Sequence, residues 1–257
     1  MAGATGGVGQ LLSAKLLDRG YKVRALSRSQ EKARQLLGDV PNLEVVYGET
    51  TKGVSSLIPV LSGVDAVCCC TGTTAFPSKR WEGGNNPETV DYVGVKNLVD
   101  AVLEMDTPLK RFVLCSSVGV DRSNKFPFFI LNAFGVLKYK GMGEKVLESS
   151  GIPYTIFRPG RLTDGPYTSY DLNTLLKGIA GTRQDISLSL QDDQQGEASR
   201  IAVAEAMLQC LVNSSVEGKK VSLTSKEGQG PGEDASRWQV LFDDLVRNDL
   251  VSPVESN

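Results

Sequence analysis

A doubly wound α/β fold with a parallel sheet is what this sequence predicts, on three observations. Short apolar runs of strand character alternate with segments of helical period through the first two thirds of the chain. The connections between them are short, as parallel strands with helical crossovers require. Glycine-rich or Pro-Gly turns sit where the strands end. The 257 residues are 40% hydrophobic and 23% charged, an ordinary globular balance. We expect one domain over 1–257, with helices on both faces of the sheet, a core over 1–162 and a small elaboration over 163–257.

The first element is abrupt. Gly3, Gly6 and Gly9 in MAGATGGVGQ have the spacing G-x-x-G-x-x-G, yet only Met1 and Ala2 precede them. Such a loop ordinarily follows a buried central strand, here flanked by the strands at 21–27 and 65–71. That first strand is therefore expected to be largely missing, from a chain cut short at Met1, with a gap in the sheet and unpaired backbone groups on its neighbours. A helix over Gly9–Arg19 follows, with Leu11, Leu12, Leu16 and Leu17 on its buried face. The next elements are a strand in YKVRALSR, a helix in QEKARQLL, and strands in LEVVYGE and DAVCCCTG. A long loop, TTAFPSKRWEGGNNPET, leads to the helix VGVKNLVDAVLEM, the strand RFVLCSSVGV and the helix LKYKGMGEKVLESSG. PYTIFRPGRL is a strand with a Pro-Gly stop. Beyond it lie a loop TDGPYTSYD, a helix LNTLLKGIAG, a helix SRIAVAEAMLQCLV, a strand KKVSLTS and a terminal helix SRWQVLFDDLVRN.

The glycine loop opens a helix, so Gly3, Thr5, Gly6, Gly7, Val8 and Gly9 are placed to wrap a phosphate at a helix N-terminus. The second strand ends in Ser27-Arg28, where a dinucleotide fold meets the adenosine ribose. An acid there would bond the 2′-hydroxyl; Arg28 instead suits a 2′-phosphate, which favours NADP(H) over NAD(H). Arg24 reads as a structural cation, not a ligand. Thr71-Gly72 and Pro159-Gly160 end two further strands at the same carboxyl edge and complete the outline of one crevice. The core over 1–162 is thus expected to bind cofactor and 163–257 to form the substrate side. The loop 73–87 and residues Thr163–Asp171 frame the expected substrate pocket.

Composition narrows the chemistry. The chain has no histidine, which removes Ser-His-Asp and Cys-His hydrolases and most zinc enzymes. Cys68, Cys69 and Cys70 are consecutive in a strand, so they point to alternate faces and cannot converge on one metal. With Cys115 and Cys210 they read as small buried hydrophobes, and no metal site is expected. The net charge of −2 and the lack of a basic-aromatic stripe argue against nucleic acid. No run approaches the roughly 18 apolar residues of a membrane span, so no transmembrane segment is expected.

AGATGGVGQ, VRALSR, CTGTTAFPSKRW, VDYVGVKNLVDA, VLCSSVGV, YTIFRPGRLTDGPYTSYD and SRIAVAEAML together resemble the NmrA-like branch of the atypical short-chain dehydrogenases/reductases, most of all its plant chloroplast members. The resemblance covers nearly the whole chain. It implies a Rossmann sheet, NADP(H) as cofactor and a plastid location, although no transit peptide is visible; without one the expectation would be cytoplasmic. It also implies an Asn, a Ser and a Tyr-x-x-x-Lys pair for general acid–base chemistry. Ser117 stands at the serine, beside Ser116, a further cofactor contact. Aligned through Glu144, Lys138 stands at the tyrosine, Met142 at the lysine and Asp91 at the asparagine. Tyr139 is followed four residues on by Gly143, so no shifted pair replaces the lost one. Ser117 and Lys138 are the catalytic candidates. Two functions follow: an NADPH-dependent oxidoreductase on a small plastid metabolite, or a non-catalytic NADP(H)-binding assembly or regulatory factor of the chloroplast with a protein partner.

Overall fold

Strands form where the apolar runs lie, and their order in space is what creates a crevice. The structure, a computed structural model, describes residues 1–163 and 185–251. The strands are β1 (Val23–Ser27), β2 (Leu43–Tyr47), β3 (Ala66–Cys69), β4 (Arg111–Cys115) and β5 (Tyr154–Pro159), then the short β6 (Arg161–Thr163), β7 (Asp185–Ser189), β8 (Glu197–Ser199) and the long β9 (Lys219–Lys226). β3, β4, β5 and β9 are parallel neighbours in that order, and β7 closes the edge antiparallel to β9. β1 and β2 form a parallel pair of their own.

Ala2 joins the two parts by bridging Leu26 on one side and Cys69 on the other. Its N–H donates to Cys68 O and its carbonyl accepts from Cys70 N, both at 2.9 Å, while Leu26 N donates to Met1 O at 2.9 Å. The Met1 ammonium donates to Arg24 O at 2.7 Å. The sheet order is thus β2-β1-(Met1–Ala2)-β3-β4-β5-β9-β7, the doubly wound order with Met1–Ala2 at its central position. The gap predicted there is a void of only about 20 Å³, lined by Met1, Ala2, Arg24, Val60 and Val67 among others. Arg24 donates to Val60 O, Ser62 O and Glu44 and so ties β1 to β2 and to the 60–62 turn.

Helices cover both faces. Helix α1 (Gly7–Asp18), α2 (Gln30–Leu37), α3 (Ile58–Leu61), α4 (Gly94–Leu103), α5 (Phe128–Leu131), α6 (Val136–Glu148), α7 (Arg200–Gln209) and α8 (Ala235–Val251) are the α-helices of the described residues. Alternation along the strands divides the core. On one face Leu11, Leu12, Val203, Met207, Trp238 and Phe242 pack with Cys68, Val113 and Phe157. On the other, Leu61, Val95, Leu98 and Leu147 pack with Val67, Leu114 and Ile156. α1 starts two residues earlier than the leucine pattern predicts, because Gly7 and Val8 already have helical geometry. The antiparallel β7 escapes sequence reading, and the predicted helix over 172–181 lies outside the described residues.

Candidate functional site

The glycine turn is dictated by space. Gly3 has φ +80°, and a Cβ on it would stand 2.6 Å from the Cys70 carbonyl carbon. A Cβ on Gly9 would stand 2.0 Å from Gly3 O. Only glycine lets the first turn of α1 close on the loop that follows Ala2. Gly6 N donates back to Gly3 O at 2.9 Å, and Gln10 Nε2 donates to Thr5 O at 2.8 Å, so the loop is held from both ends. Gly6 caps α1 without any side-chain acceptor, and the first turn carries no acid. The N–H groups of Gly7, Val8 and Gly9 therefore lack intrahelical acceptors, as at any helix start, and lie at its positive end.

This turn forms the floor of a crevice of about 420 Å³ at the carboxyl ends of the strands, where their order reverses. Of the residues predicted to bind cofactor, Gly3, Thr5, Gly6, Ser27, Arg28, Thr71 and Gly72 line it. Gly7, Val8 and Gly9 stand behind as the helix start. Lys32 and Arg80, which the sequence reading missed, also line it, along with Glu49 and Thr50 after β2. Arg28, Lys32 and Arg80 are exposed, and Arg28 Nη1 donates to Asn85 Oδ1 at 2.8 Å. The end beyond β1 thus carries three cations from separate segments. Lys32 was legible as the fourth residue after Arg28 in the turn that starts α2; Arg80 was not, since only the fold brings its loop across.

Three predicted contacts are not among the residues that line the crevice. The Ser116 hydroxyl donates to Glu144 Oε1 at 2.5 Å and is buried there. Pro159 is a paired residue of β5, opposite Leu223. Gly160 is small because a Cβ would meet Gly196 O at 2.5 Å, a packing demand between strands and not one made by a ligand. The catalytic candidates lie apart from the crevice lining. Ser117 donates its hydroxyl to Val118 O at 3.0 Å. Lys138 is exposed, its ammonium 5.0 Å from the Tyr139 ring centroid. Neither is among the residues that line the crevice.

The helix cation that stands behind the crevice wall, beside Gly72, is Lys140. Glu144, 1% exposed, fixes the inward face of α6 through Ser116 and through Arg158, whose Nη2 lies 2.5 Å from Glu144 Oε2. At about 100° per residue, Lys140 lies ~40° from Glu144 around the helix and Lys138 ~120° away. Lys140 Nζ donates to Asp91 Oδ1 at 2.6 Å and lies 3.1 Å from where a Gly72 Cβ would be. The Thr73 hydroxyl and N–H both donate to Asp91 Oδ2. Burial opposes the Lys140 charge, but Asp91 outweighs it and leaves the ammonium above its ordinary pKa. Such a group holds its proton: it is a hydrogen-bond donor and orienting cation more than a proton shuttle. Tyr139 does not join it, since its hydroxyl is 3.2 Å from Glu88 on the exposed side.

Arg158 is a second buried charge the sequence reading passed over, though a lone Arg inside an apolar strand is itself a signal. It pairs with Asp121 at 2.5 Å as well as Glu144, and is held above its ordinary pKa despite burial, because both carboxylates face it. This pair stitches β5 to α6 and to the loop after β4. It supports the site without entering it.

The features fit a dinucleotide: a side-chain-free turn, unpaired helix N–H groups and cations at the far end. Comparison with known proteins agrees. Residues 3–214 match the family model described as NAD(P)H-binding. A chloroplastic protein of Arabidopsis thaliana, itself uncharacterized, is 32% identical over 235 residues, covering 88% of this chain and 76% of its own. Protein TIC 62 of the same plant, also chloroplastic, is 32% identical over 83% of this chain, which spans only 33% of that longer protein. Sanguinarine reductase of Eschscholzia californica is 29% identical over 96% of this chain and 95% of its own. Among solved structures, the oxidoreductase ylbE of Lactococcus lactis superposes with a TM-score of 0.70 at 19% identity, covering 100% of this chain and 98% of that one, which speaks to the fold. The chain belongs to the NAD(P)H-binding, NmrA-like family of atypical short-chain dehydrogenases/reductases.

Proposed function

We propose that this protein is an NADP(H)-dependent oxidoreductase acting on a small molecule, and that it works in the chloroplast, as its relatives do. The observation that carries the choice of cofactor is the trio Arg28, Lys32 and Arg80 at the crevice end beyond β1. β1 ends in Ser27-Arg28 with no acid to take a ribose 2′-hydroxyl, and a 2′-phosphate matches paired guanidinium donors. NADPH, when bound, supplies a hydride. The chain's own residues position it: the α1 turn holds the pyrophosphate, and Lys140 with Asp91 and Thr73 presents a fixed polar group beside Gly72. Lys140 is the residue we assign to donate a hydrogen bond to the ribose or to a substrate oxygen. The domain division at 162/163 is retained as part of this reading, the substrate side falling to the later segment.

The reductase reading draws support from the sanguinarine reductase relative, which matches end to end. A second reading has its own support. The family's tyrosine is absent from the inward face of α6, and TIC 62 is a relative of a different kind. In that reading the crevice senses NADP(H) for a chloroplast assembly or regulatory factor. Titration with NADP⁺ and NAD⁺, followed by NADPH consumption across carbonyls, quinones and enones, tests both. Turnover lost in Lys140→Met establishes the oxidoreductase. Tight NADP⁺ binding with no turnover, and a plastid protein recovered only with NADPH present, establishes the factor. Equal affinity for the two dinucleotides overturns the choice of NADP(H).

A further inference from the structure

The cysteines at the end of β3 are the part of the sequence that cofactor binding leaves unused. β3 and β4 are in register, Cys68 beside Val113 and Cys69 beside Leu114. One step further along both strands, Cys70 stands beside Cys115. Alternation puts these two on one face: both pack on the core that holds Cys68 and Val113, whereas Cys69 belongs to the other. Neighbouring strands lie about 4.8 Å apart, within the roughly 4.4–6.8 Å between Cα atoms that a disulfide accepts. The Cys70 thiol donates to Met207 Sδ at 3.8 Å, on the same face of the sheet. Both are partly exposed, whereas Cys68, Cys69 and Cys210 are buried. Cys70 also forms part of the crevice wall, with its carbonyl against Gly3.

We propose that Cys70 and Cys115 form an oxidation site, a dithiol that a peroxide closes to a disulfide, and whose state sets how tightly the crevice holds its dinucleotide. The second half of this proposal rests on the cofactor reading above. Cys115 is the attacking sulfur. The neighbouring Cys70 thiol lowers its pKa, burial opposes this, and Lys140 adds to the lowering. Its thiolate attacks one peroxide oxygen; the O–O bond breaks, and the departing hydroxide takes a proton and leaves as water. The Cys115 sulfenic acid is then attacked by the Cys70 sulfur: the S–S bond forms, the S–O bond breaks, and the hydroxyl leaves as water with the Cys70 proton. The two thiols lose two electrons and the peroxide gains them.

The bond fixes Cys70 to β4, and Cys70 abuts the Gly3 turn, so closure reaches the phosphate loop directly. Coupling is reciprocal: if the disulfide weakens dinucleotide binding, a bound dinucleotide favours the dithiol by the same factor.

The test treats the reduced full chain with hydrogen peroxide, with and without saturating NADP⁺, and maps disulfides by peptide mass spectrometry. NADP⁺ affinity is then measured on both forms. The expected result is a Cys70–Cys115 link and an affinity lowered about tenfold, within the usual range for coupled sites. Dithiothreitol restores the affinity, and saturating NADP⁺ slows the link. Cys115→Ser shows neither the link nor the peroxide effect; should that variant not fold, the wild-type map decides alone. A link from Cys115 to Cys68 or Cys69, a Cys115 sulfinic acid without any link, or equal affinities in the two forms overturns the proposal. A link at the expected pair in a protein that binds no NADP⁺ when reduced separates the two failures: the cofactor reading falls and only the chemistry of the pair stands.

Discussion

Arg28 is the residue on which the cofactor choice turns. Its guanidinium is exposed and donates to the half-buried Asn85 amide oxygen, so its removal deprives the crevice of a donor without leaving a buried partner unpaired. A hydrogen bond to a charged group contributes about 1.5–3 kcal/mol. Arg28→Ala is expected to weaken NADP⁺ binding by roughly ten- to a hundredfold while NAD⁺ binding changes little; calorimetric titration of both checks it, and equal losses would sink the assignment. Lys140 behaves differently, because Asp91 is 3% exposed and depends on it. Lys140→Met strands a buried carboxylate at a cost of about 3–5 kcal/mol, and adding Asp91→Asn should recover much of it, as denaturant melts of the three proteins would show. Lys140 was within reach of the sequence: Glu144 in the helix LKYKGMGEKVL shares its face. Counting positions from the family's pattern selects Lys138, which lies ~120° from Glu144 around the helix.

At the scale of elements, α1 is where local sequence and tertiary packing agree. Gly9→Ala places a methyl 2.0 Å from Gly3 O, a clash with backbone that cannot move without lifting α1 from the sheet. Overpacking of this kind costs about 1–3 kcal/mol, and a lowered Tm together with lost NADP⁺ binding is the expected outcome. α1 is also tied to the connector before α8, where Lys15 lies 2.5 Å from Glu233 and 2.9 Å from the buried Glu205. The Lys15 hydrogen bond lowers the Glu233 pKa below its ordinary 4.5, against a smaller effect of burial. A depressed carboxylate stabilises above its unfolded pKa and loses that contribution as pH falls through the folded value. The tie should therefore be complete above pH 4.5 and weaken below it. Glu233 is 59% exposed, so the effect is small; Glu233→Gln should narrow the Tm difference between pH 6 and pH 3.5 slightly, about a degree or two for a chain of this size. The strands of the parallel core were legible because burial on both faces makes continuous apolar runs. β7, DISLS, was not: it lies at the edge, half polar, and only its antiparallel register with β9 makes it a strand.

At the scale of the molecule, Met1 and Ala2 stand at a seam in the sheet. Among the described residues the backbone pairing between β1 and β3 runs through Ala2, and the crevice straddles that seam, with Ser27 and Arg28 on one side and Thr71 and Gly72 on the other. β4, β5 and β9 pair continuously and sit under Trp238 and Phe242, both buried. Opening the β1–β2 unit therefore breaks few ladder hydrogen bonds, whereas opening the larger part exposes the main core. The glycine loop announced the seam in the sequence, but the pairing of Ala2 with both Leu26 and Cys69 is a tertiary arrangement that no pattern of residue types encodes. Amide exchange gives the test. Val23–Ser27 and Leu43–Tyr47 should exchange through a partial opening, at lower protection than Phe112–Leu114 and Thr155–Phe157. NADP⁺, by contacting both sides, should raise the protection of the first group more than the second, because a ligand that binds only the closed form stabilises it by RT ln(1 + [L]/Kd). Uniform protection across the sheet without ligand, or an equal rise everywhere with it, would show that the seam has no mechanical consequence.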